Sequence, residues 1–220
     1  MAGQSVSLET LKSWLAEGSP ESESLVGSKW IIVEESSDTT GLREFAAILP
    51  KIPLTLLVIG LRDADGNVFA ARLVVETPIS TADLDLESKV KLYRRLLTLN
   101  RMALVKYYIY GEDNTVAIAV DLDLKSLSKE EFEDALARLL LGFLYLGKLD
   151  ERFEKMMKEK EVMDLGRMVL SYMERGKSRE EIIQLLVEGG LSRDLARDLV
   201  NTIYSMAGKA GASKSNVLSI

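Results

Sequence analysis

The sequence predicts an α+β fold in which helices pack on an antiparallel sheet, followed by a C-terminal module of three helices. Two observations predict it. Residues 83–149 read as a helix, a two-stranded hairpin and a long helix. Asp65-Gly66 lies between two apolar, β-branched runs, which is a strong hairpin signal and adds two more strands.

The first part of the chain supplies most of the predicted sheet. The predicted elements are a helix at residues 8–17 and strands at residues 29–35, 42–49, 54–61 and 67–76. Ser7 can cap the helix. Residues 42–49 fit helical spacing and strand alternation almost equally well, and we favour a strand.

The central part carries two sequence patterns typical of helix starts. Its predicted elements are a helix at residues 83–101, strands at 104–110 and 115–121, and a helix at 128–149. Ser80 with Asp83, and Ser128 with Glu131, have the spacing of capping boxes. The first helix carries, at helical spacing, Leu86, Val90, Tyr93, Leu96 and Leu97. Gly142 in the second helix predicts close packing or a bend.

The domain organisation follows from a change in composition after residue 150. Residues 1–150 form the predicted α+β domain, 151–162 a charged helical connector, 163–207 a small helical bundle and 208–220 a flexible tail. Within the bundle we expect helices at residues 164–175, 178–188 and 192–206. A third capping box, Ser178 with Glu181, opens the second of them.

Composition excludes several chemistries. The chain has neither cysteine nor histidine, so it lacks thiolate nucleophiles, disulfides and the commonest general base and transition-metal ligand. A net charge of −6 disfavours general binding to nucleic acid or anionic membranes. The sequence shows no signal-peptide pattern and no apolar run of membrane-spanning length, so we expect a cytoplasmic protein. No motif for a cofactor or small-molecule substrate is present, and the composition would suit a thermophile.

Three segments carry a family resemblance: residues 92–100 (LYRRLLTLN), the hairpin ending in residues 120–124 (VDLDL), and the helix at 128–149. Their order resembles the type III secretion chaperone-like fold, and most of all its YbjN-like branch, over about residues 7–150. In that family, a helix ending in a Leu-Asn pair leads into such a hairpin and helix. The resemblance implies a non-enzymatic module, usually dimeric, that holds partner polypeptides. Residues 182–200 (IIQLLVEGGLSRDLARDLV) are similar to the first two helices of ubiquitin-associated-type bundles.

A basic and aromatic cluster accompanies the first central helix. Its members are Lys89, Lys91, Arg94, Arg95, Arg101 and Lys106, with Tyr93 and Tyr108. We interpret it first as the solvated face of an amphipathic helix. Contact with an acidic protein segment or a nucleic-acid backbone is the alternative.

Two other functional interpretations remain open. The C-terminal helices resemble a helix-turn-helix, in which Arg193, Arg197 and Asn201 would face DNA, although Asp194 and Asp198 on the same helix would repel phosphates. A DNA-associated regulator is therefore one alternative. A divalent-metal-dependent enzyme that uses Asp121 and Asp123 is the other.

The leading functional prediction comes from the second face of the sheet. Sheets with one wet face alternate between apolar and polar residues, yet this face is largely apolar. Such a face is rarely left bare, so it should be covered by the chain's own helices, a second subunit or a client segment. We expect a non-enzymatic, homodimeric protein-binding adaptor. Its predicted contact residues are Val68, Arg72, Val74, Lys106, Tyr108, Tyr110, Ala117 and Ala119.

Overall fold

A computed structural model describes residues 6–25, 27–33, 43–50, 54–82, 84–111, 114–147 and 153–215. Within them the strands are β1 (Ile31–Val33), β2 (Arg43–Leu49), β3 (Leu54–Arg62), β4 (Val68–Ser80), β5 (Lys106–Tyr110) and β6 (Thr115–Asp123). The helices are α1 (Leu8–Ala16), α2 (Leu86–Leu99), α3 (Lys129–Gly147), α4 (Phe153–Glu174), α5 (Arg179–Glu188) and α6 (Arg193–Ser215). The predicted α+β class is confirmed.

The six strands form one antiparallel sheet in the order β1-β2-β3-β4-β6-β5. The strand favoured for residues 42–49 is confirmed as β2. The capping box expected at Ser80 is wrong, because β4 continues to Ser80, which pairs with Thr115 of β6. Helix α2 begins later, where the Asp85 carboxylate accepts the Ser88 N–H at 2.9 Å.

Helices α1, α2 and α3 pack on the first face of the sheet and enclose the larger core. The amphipathic pattern of α3 buries Phe132, whose ring lies 5.6 Å from that of Trp14 in α1. The capping box predicted for α3 is confirmed, because Glu131 accepts the Ser128 N–H and the Ser128 hydroxyl accepts the Glu131 N–H. Local capping and long-range packing therefore both stabilise this helix.

Gly142 allows α3 to approach the sheet closely, as the sequence predicts. A Cβ at this position would lie 3.0 Å from Val105 Cγ1 and 3.1 Å from the Tyr107 hydroxyl oxygen. That hydroxyl donates to the Gly142 carbonyl oxygen at 2.9 Å. Burial raises the pKa of Tyr107 to about 12, so its phenol remains a hydrogen-bond donor at neutral pH.

Side chains from two helices bond the backbone of the outermost strands. Asn100 is the C-cap residue of α2 and the Asn of the Leu-Asn pair. Its amide nitrogen donates to the Tyr107 carbonyl oxygen at 3.0 Å, and its Oδ1 accepts the Tyr107 N–H at 2.6 Å. At the opposite side of the sheet, the Tyr172 hydroxyl donates to the Ile32 carbonyl oxygen at 3.0 Å. These bonds attach α2 to β5 and α4 to β1.

The C-terminal helices share a core with the second face of the sheet. Ile31 and Ile48 pack among apolar residues of α4, α5 and α6. Around this core, Lys29 pairs with Glu188 at 2.5 Å and Thr55 donates to Asp164 at 2.9 Å. None of the described helices is both long and apolar enough to cross a membrane.

The C-terminal helices also differ from their predicted bounds. Helix α4 runs without a break from residue 153, in the predicted connector, to residue 174, near the predicted end of the first bundle helix. Helix α6 continues to residue 215, so the tail predicted from residue 208 begins as helix. The capping box at Ser178 and Glu181 is confirmed. The division into domains stays a prediction.

Candidate protein-binding surfaces

Most of the predicted contact residues lie together on the second face of the sheet. The strand register places side by side Arg72, Val74, Lys106, Tyr108, Tyr110, Ala117 and Ala119. Val68 is the exception, because it packs against the core of the first face. The register of β3 and β4 shifts by one residue between Leu61 and Arg62, and this irregularity moves Val68 to the other side.

Three charged side chains on β4, β5 and β6 form an ion cluster at one end of this face. Arg72 bonds both carboxylate oxygens of Asp121, at 2.6 and 3.0 Å, and Lys106 adds a contact of 2.5 Å. Hydrogen bonding to Arg72, and then to Lys106, lowers the pKa of Asp121. The bidentate geometry fixes the register of β4 against β6.

The apolar residues of this face are not accessible. Val74, Ala117 and Ala119 are at most 1% exposed, so they offer no contact surface to a partner. Tyr108 and Tyr110 stack edge to face with ring centroids 6.0 Å apart, and burial raises the pKa of Tyr108 to about 12. The half-buried tyrosines and the ion cluster remain reachable, and their role in binding stays a prediction.

We expect Asp121→Asn to make the free energy of unfolding less dependent on pH in the acidic range. Because the folded pKa of Asp121 lies below its unfolded value of about 3.9, the carboxylate stabilises the fold above that value. This stability is lost as the pH falls through the folded pKa. Urea unfolding at several pH values should therefore show a constant deficit for Asp121→Asn above about pH 5, shrinking below about pH 4.

The matched control is Asp123→Asn, because the structure describes no cation paired with this exposed carboxylate. A deficit of Asp121→Asn that stayed the same down to pH 2, or that also appeared in the control, would contradict the prediction.

The geometry does not favour Asp121 and Asp123 as metal ligands. Both Asp121 oxygens are already bonded to cationic side chains. In the described part of the chain, no three acidic side chains converge on a point where they could hold a metal ion. Asp123 instead accepts the Lys125 N–H at 2.9 Å, which shapes the turn after β6.

Helix α2 presents an exposed apolar stripe, whose residues the sequence placed at helical spacing without indicating that they are exposed. Leu96 is its buried residue, and Leu92 and Leu99 pack partly against the core. A second side of the helix exposes Leu86 (79%), Val90 (40%), Tyr93 (37%) and Leu97 (69%). Their spacing of four, three and four residues aligns them over about 16 Å of helix. The sequence signal for this surface is that apolar residues lie on two sides of the helix, more than are needed to pack it on the sheet.

Basic residues flank this stripe. The helical period of 3.6 residues places Lys89 on one side of it and Arg94 on the other. The whole helix carries four cationic side chains against the single carboxylate of Glu87, in a chain whose net charge is −6. The stripe is therefore apolar at its centre, with Lys89 on one border and Arg94 beside Glu87 on the other.

Helix α3 exposes a smaller apolar group near its C-terminal end. Leu141, Leu144 and Tyr145 are 45%, 56% and 41% exposed. Ala137 and Arg138 are the exposed residues one turn earlier. Among the described residues beside this α3 patch, Arg138 is the one exposed cation, whereas cations lie on both sides of the stripe on α2.

The two arginines that would face DNA in the helix-turn-helix interpretation form ion pairs within the C-terminal helices. Arg193 bonds Glu180 at 2.8 Å, and Arg197 lies 4.0 Å from Asp194. Asn201 is exposed on the same helix. Because the cations are paired with carboxylates, this surface offers little positive potential to a phosphate backbone.

Within the described residues, these observations define an α+β protein with an antiparallel sheet and with exposed apolar side chains on α2 and α3. The chain belongs to a family of domains of unknown function (DUF8183), whose model matches residues 10–148. The match includes all six strands, α2, α3 and most of α1, and it ends before α4. No curated protein matches the chain.

Proposed function

We propose that this chain is a protein-binding adaptor or chaperone-like module that works without catalysis. The observation that carries the proposal is the stripe of Leu86, Val90, Tyr93 and Leu97 on α2. Contiguous exposed apolar surface of this kind marks interaction sites in folded proteins. Amphipathic segments bind such surfaces by inserting anchors at the same helical spacing.

We also propose that two copies of the chain form a homodimer. The α3 patch suits self-association better, because among its described neighbours only Arg138 is an exposed cation, which limits like-charge repulsion when two identical surfaces meet. Two copies of α2 that met through the stripe would instead bring together Lys89 and Arg94 of each copy. We therefore assign homodimer contact to α3 and client contact to α2.

The resemblance to type III secretion chaperone-like proteins supports this proposal by analogy alone. We also propose that the chain is related to that fold and to its YbjN-like branch. It fits the order of α2, the β5–β6 hairpin and α3, and the position of Asn100 at the end of α2. The bonding of Asp121 to two cations counts against the alternative of a metal-dependent enzyme that uses this carboxylate.

Binding to an unfolded polypeptide tests the α2 surface. Labelled, reduced and carboxymethylated α-lactalbumin stays unfolded and exposes apolar segments, so fluorescence anisotropy should rise when it binds the wild-type protein. Leu86→Glu/Leu97→Glu should weaken binding at least about tenfold, because two buried contacts are replaced by charges.

The matched control for this experiment is Leu195→Glu on α6, where the leucine is 59% exposed and lies outside the stripe. This variant should bind as the wild type does. The proposal is wrong if the wild-type protein does not bind, or if the α2 double variant binds as tightly as the control.

Sedimentation tests the α3 patch separately. The wild-type protein should sediment as a dimer, and Leu144→Glu should sediment as a monomer, because two glutamates would face each other near the symmetry axis. Leu195→Glu should remain dimeric. A monomeric wild type would remove the dimer from the proposal and leave the α2 surface to be judged by polypeptide binding.

A further inference from the structure

We infer that the occupant of the α2 stripe is an acidic amphipathic helix of a partner protein. This inference rests on the proposed function and names the chemistry of the partner. It depends on how the charges around the stripe are arranged, not on the apolar residues alone.

Each border of the stripe carries a cation, and the carboxylate of Glu87 lies on the same border as Arg94. Lys89 and Arg94 lie on opposite sides of it, and Lys91, farther from the stripe, is paired with Glu87 at 2.6 Å. Arg101 follows directly after the helix and is also exposed. Glutamate or aspartate beside the apolar anchors of a partner would meet a cation on either border.

The dimensions favour a helix as the partner element. The four exposed apolar residues span about 16 Å, which is three turns of helix. A partner helix with apolar residues at the same spacing can lie along the stripe, as in helix-in-groove recognition.

A nucleic acid fits the same surface less well. Single strands bind by stacking bases on aromatic rings, and Tyr93 is the one aromatic residue of the stripe. Leu86, Val90 and Leu97 would be left in contact with phosphates and sugars. Aliphatic anchors bordered by cations match acidic protein better.

Two synthetic peptides of about 18 residues test the inference. Both carry leucine at the spacing of the stripe. One is flanked by glutamate, and the other has lysine in place of every glutamate. With fluorescein labels and low salt, the acidic peptide should bind the full-length protein at least about tenfold more tightly. The difference should disappear near 1 M salt, where the Debye length is about 3 Å.

Charge reversal on the protein gives the decisive comparison. Lys89→Glu/Arg94→Glu should reverse the preference toward the basic peptide, with circular dichroism confirming that the variant is folded. Leu97→Glu should weaken both peptides. Lys125→Glu, at an exposed cation in the turn after β6, is the matched control and should keep the acidic preference.

Three results would overturn the inference. Equal binding of both peptides, still sensitive to Leu97→Glu, would overturn the acidic preference and leave the proposed function standing. If neither peptide binds while the unfolded α-lactalbumin still binds, the acidic helical partner is likewise ruled out and the proposed function stands. Tighter binding of a single-stranded DNA oligonucleotide than of the acidic peptide would replace the protein partner with a nucleic acid.

Discussion

Gly18→Ala should destabilise the protein by about 3 kcal/mol or more. Gly18 follows α1 where the chain touches the segment leading into β1. A Cβ on Gly18 would lie 2.1 Å from the Ser28 carbonyl oxygen and 2.6 Å from the Lys29 nitrogen. These are backbone atoms, so the clash cannot be relieved by a side-chain rotation.

Relief of this clash would cost neighbouring bonds. Ser19 N–H donates to the Gly27 carbonyl oxygen at 2.6 Å, and Trp30 N–H donates to the Leu15 carbonyl oxygen at 2.9 Å. Separating the two segments weakens both bonds and exposes Trp30, which is 1% exposed in the native fold. Urea unfolding followed by tryptophan fluorescence measures the loss.

Gly166→Ala is the matched control for Gly18→Ala. It makes the same substitution inside α4, where the nearest atom to the new Cβ would be Ile203 Cδ1 at 3.9 Å. Alanine is favoured over glycine in a helix by about 1 kcal/mol, so this variant should be neutral or more stable. Equal effects of the two substitutions would refute the steric argument.

Gly189→Ala should detach α5 from the sheet and cost about 2 kcal/mol. Gly189 has an ordinary negative φ of −80°, so its backbone accepts any residue. The constraint is contact, because a Cβ would lie 2.7 Å from Pro50 Cγ and 2.9 Å from Ile31 Cδ1. The displaced helix would also pull Glu188 away from Lys29.

A double-mutant cycle with Pro50→Ala tests this contact. Removing the proline ring opens space for the new Cβ, so Gly189→Ala should cost less in the Pro50→Ala background. Hydrogen exchange should show faster opening of α5 and α6 in the single Gly189→Ala variant than in the double variant. Additive effects of the two changes would show that Pro50 is not the obstacle.

Local signals in the sequence predicted the fold well where a short segment decides the structure. The capping boxes at Ser128 and Ser178 are confirmed, because each is closed by a glutamate three residues away. Ser80 has the same pattern, but pairing of β4 with β6 overrides it. At Ser80, pairing with a strand distant in sequence therefore determines the structure.

The contact surface was harder to predict. Alternation along β4 assigned Val68 to the second face, and a register shift of one residue reversed it. The apolar residues at Val74 and Ala117 were recognised correctly as one surface, but tertiary packing buries them. For α2, periodicity identified the apolar residues and could not tell which of its two apolar sides would meet the sheet.

The bonds made by Asn100 and Tyr172 have a consequence for how partners can attach. Open edges of a sheet invite a further strand from another molecule, which leads to augmentation or to fibrils. Here the Asn100 amide occupies both backbone groups of Tyr107 in β5, and the Tyr172 hydroxyl occupies the Ile32 carbonyl in β1. A strand added at either edge would therefore have to displace a side chain that already bonds the backbone at Tyr107 or at Ile32.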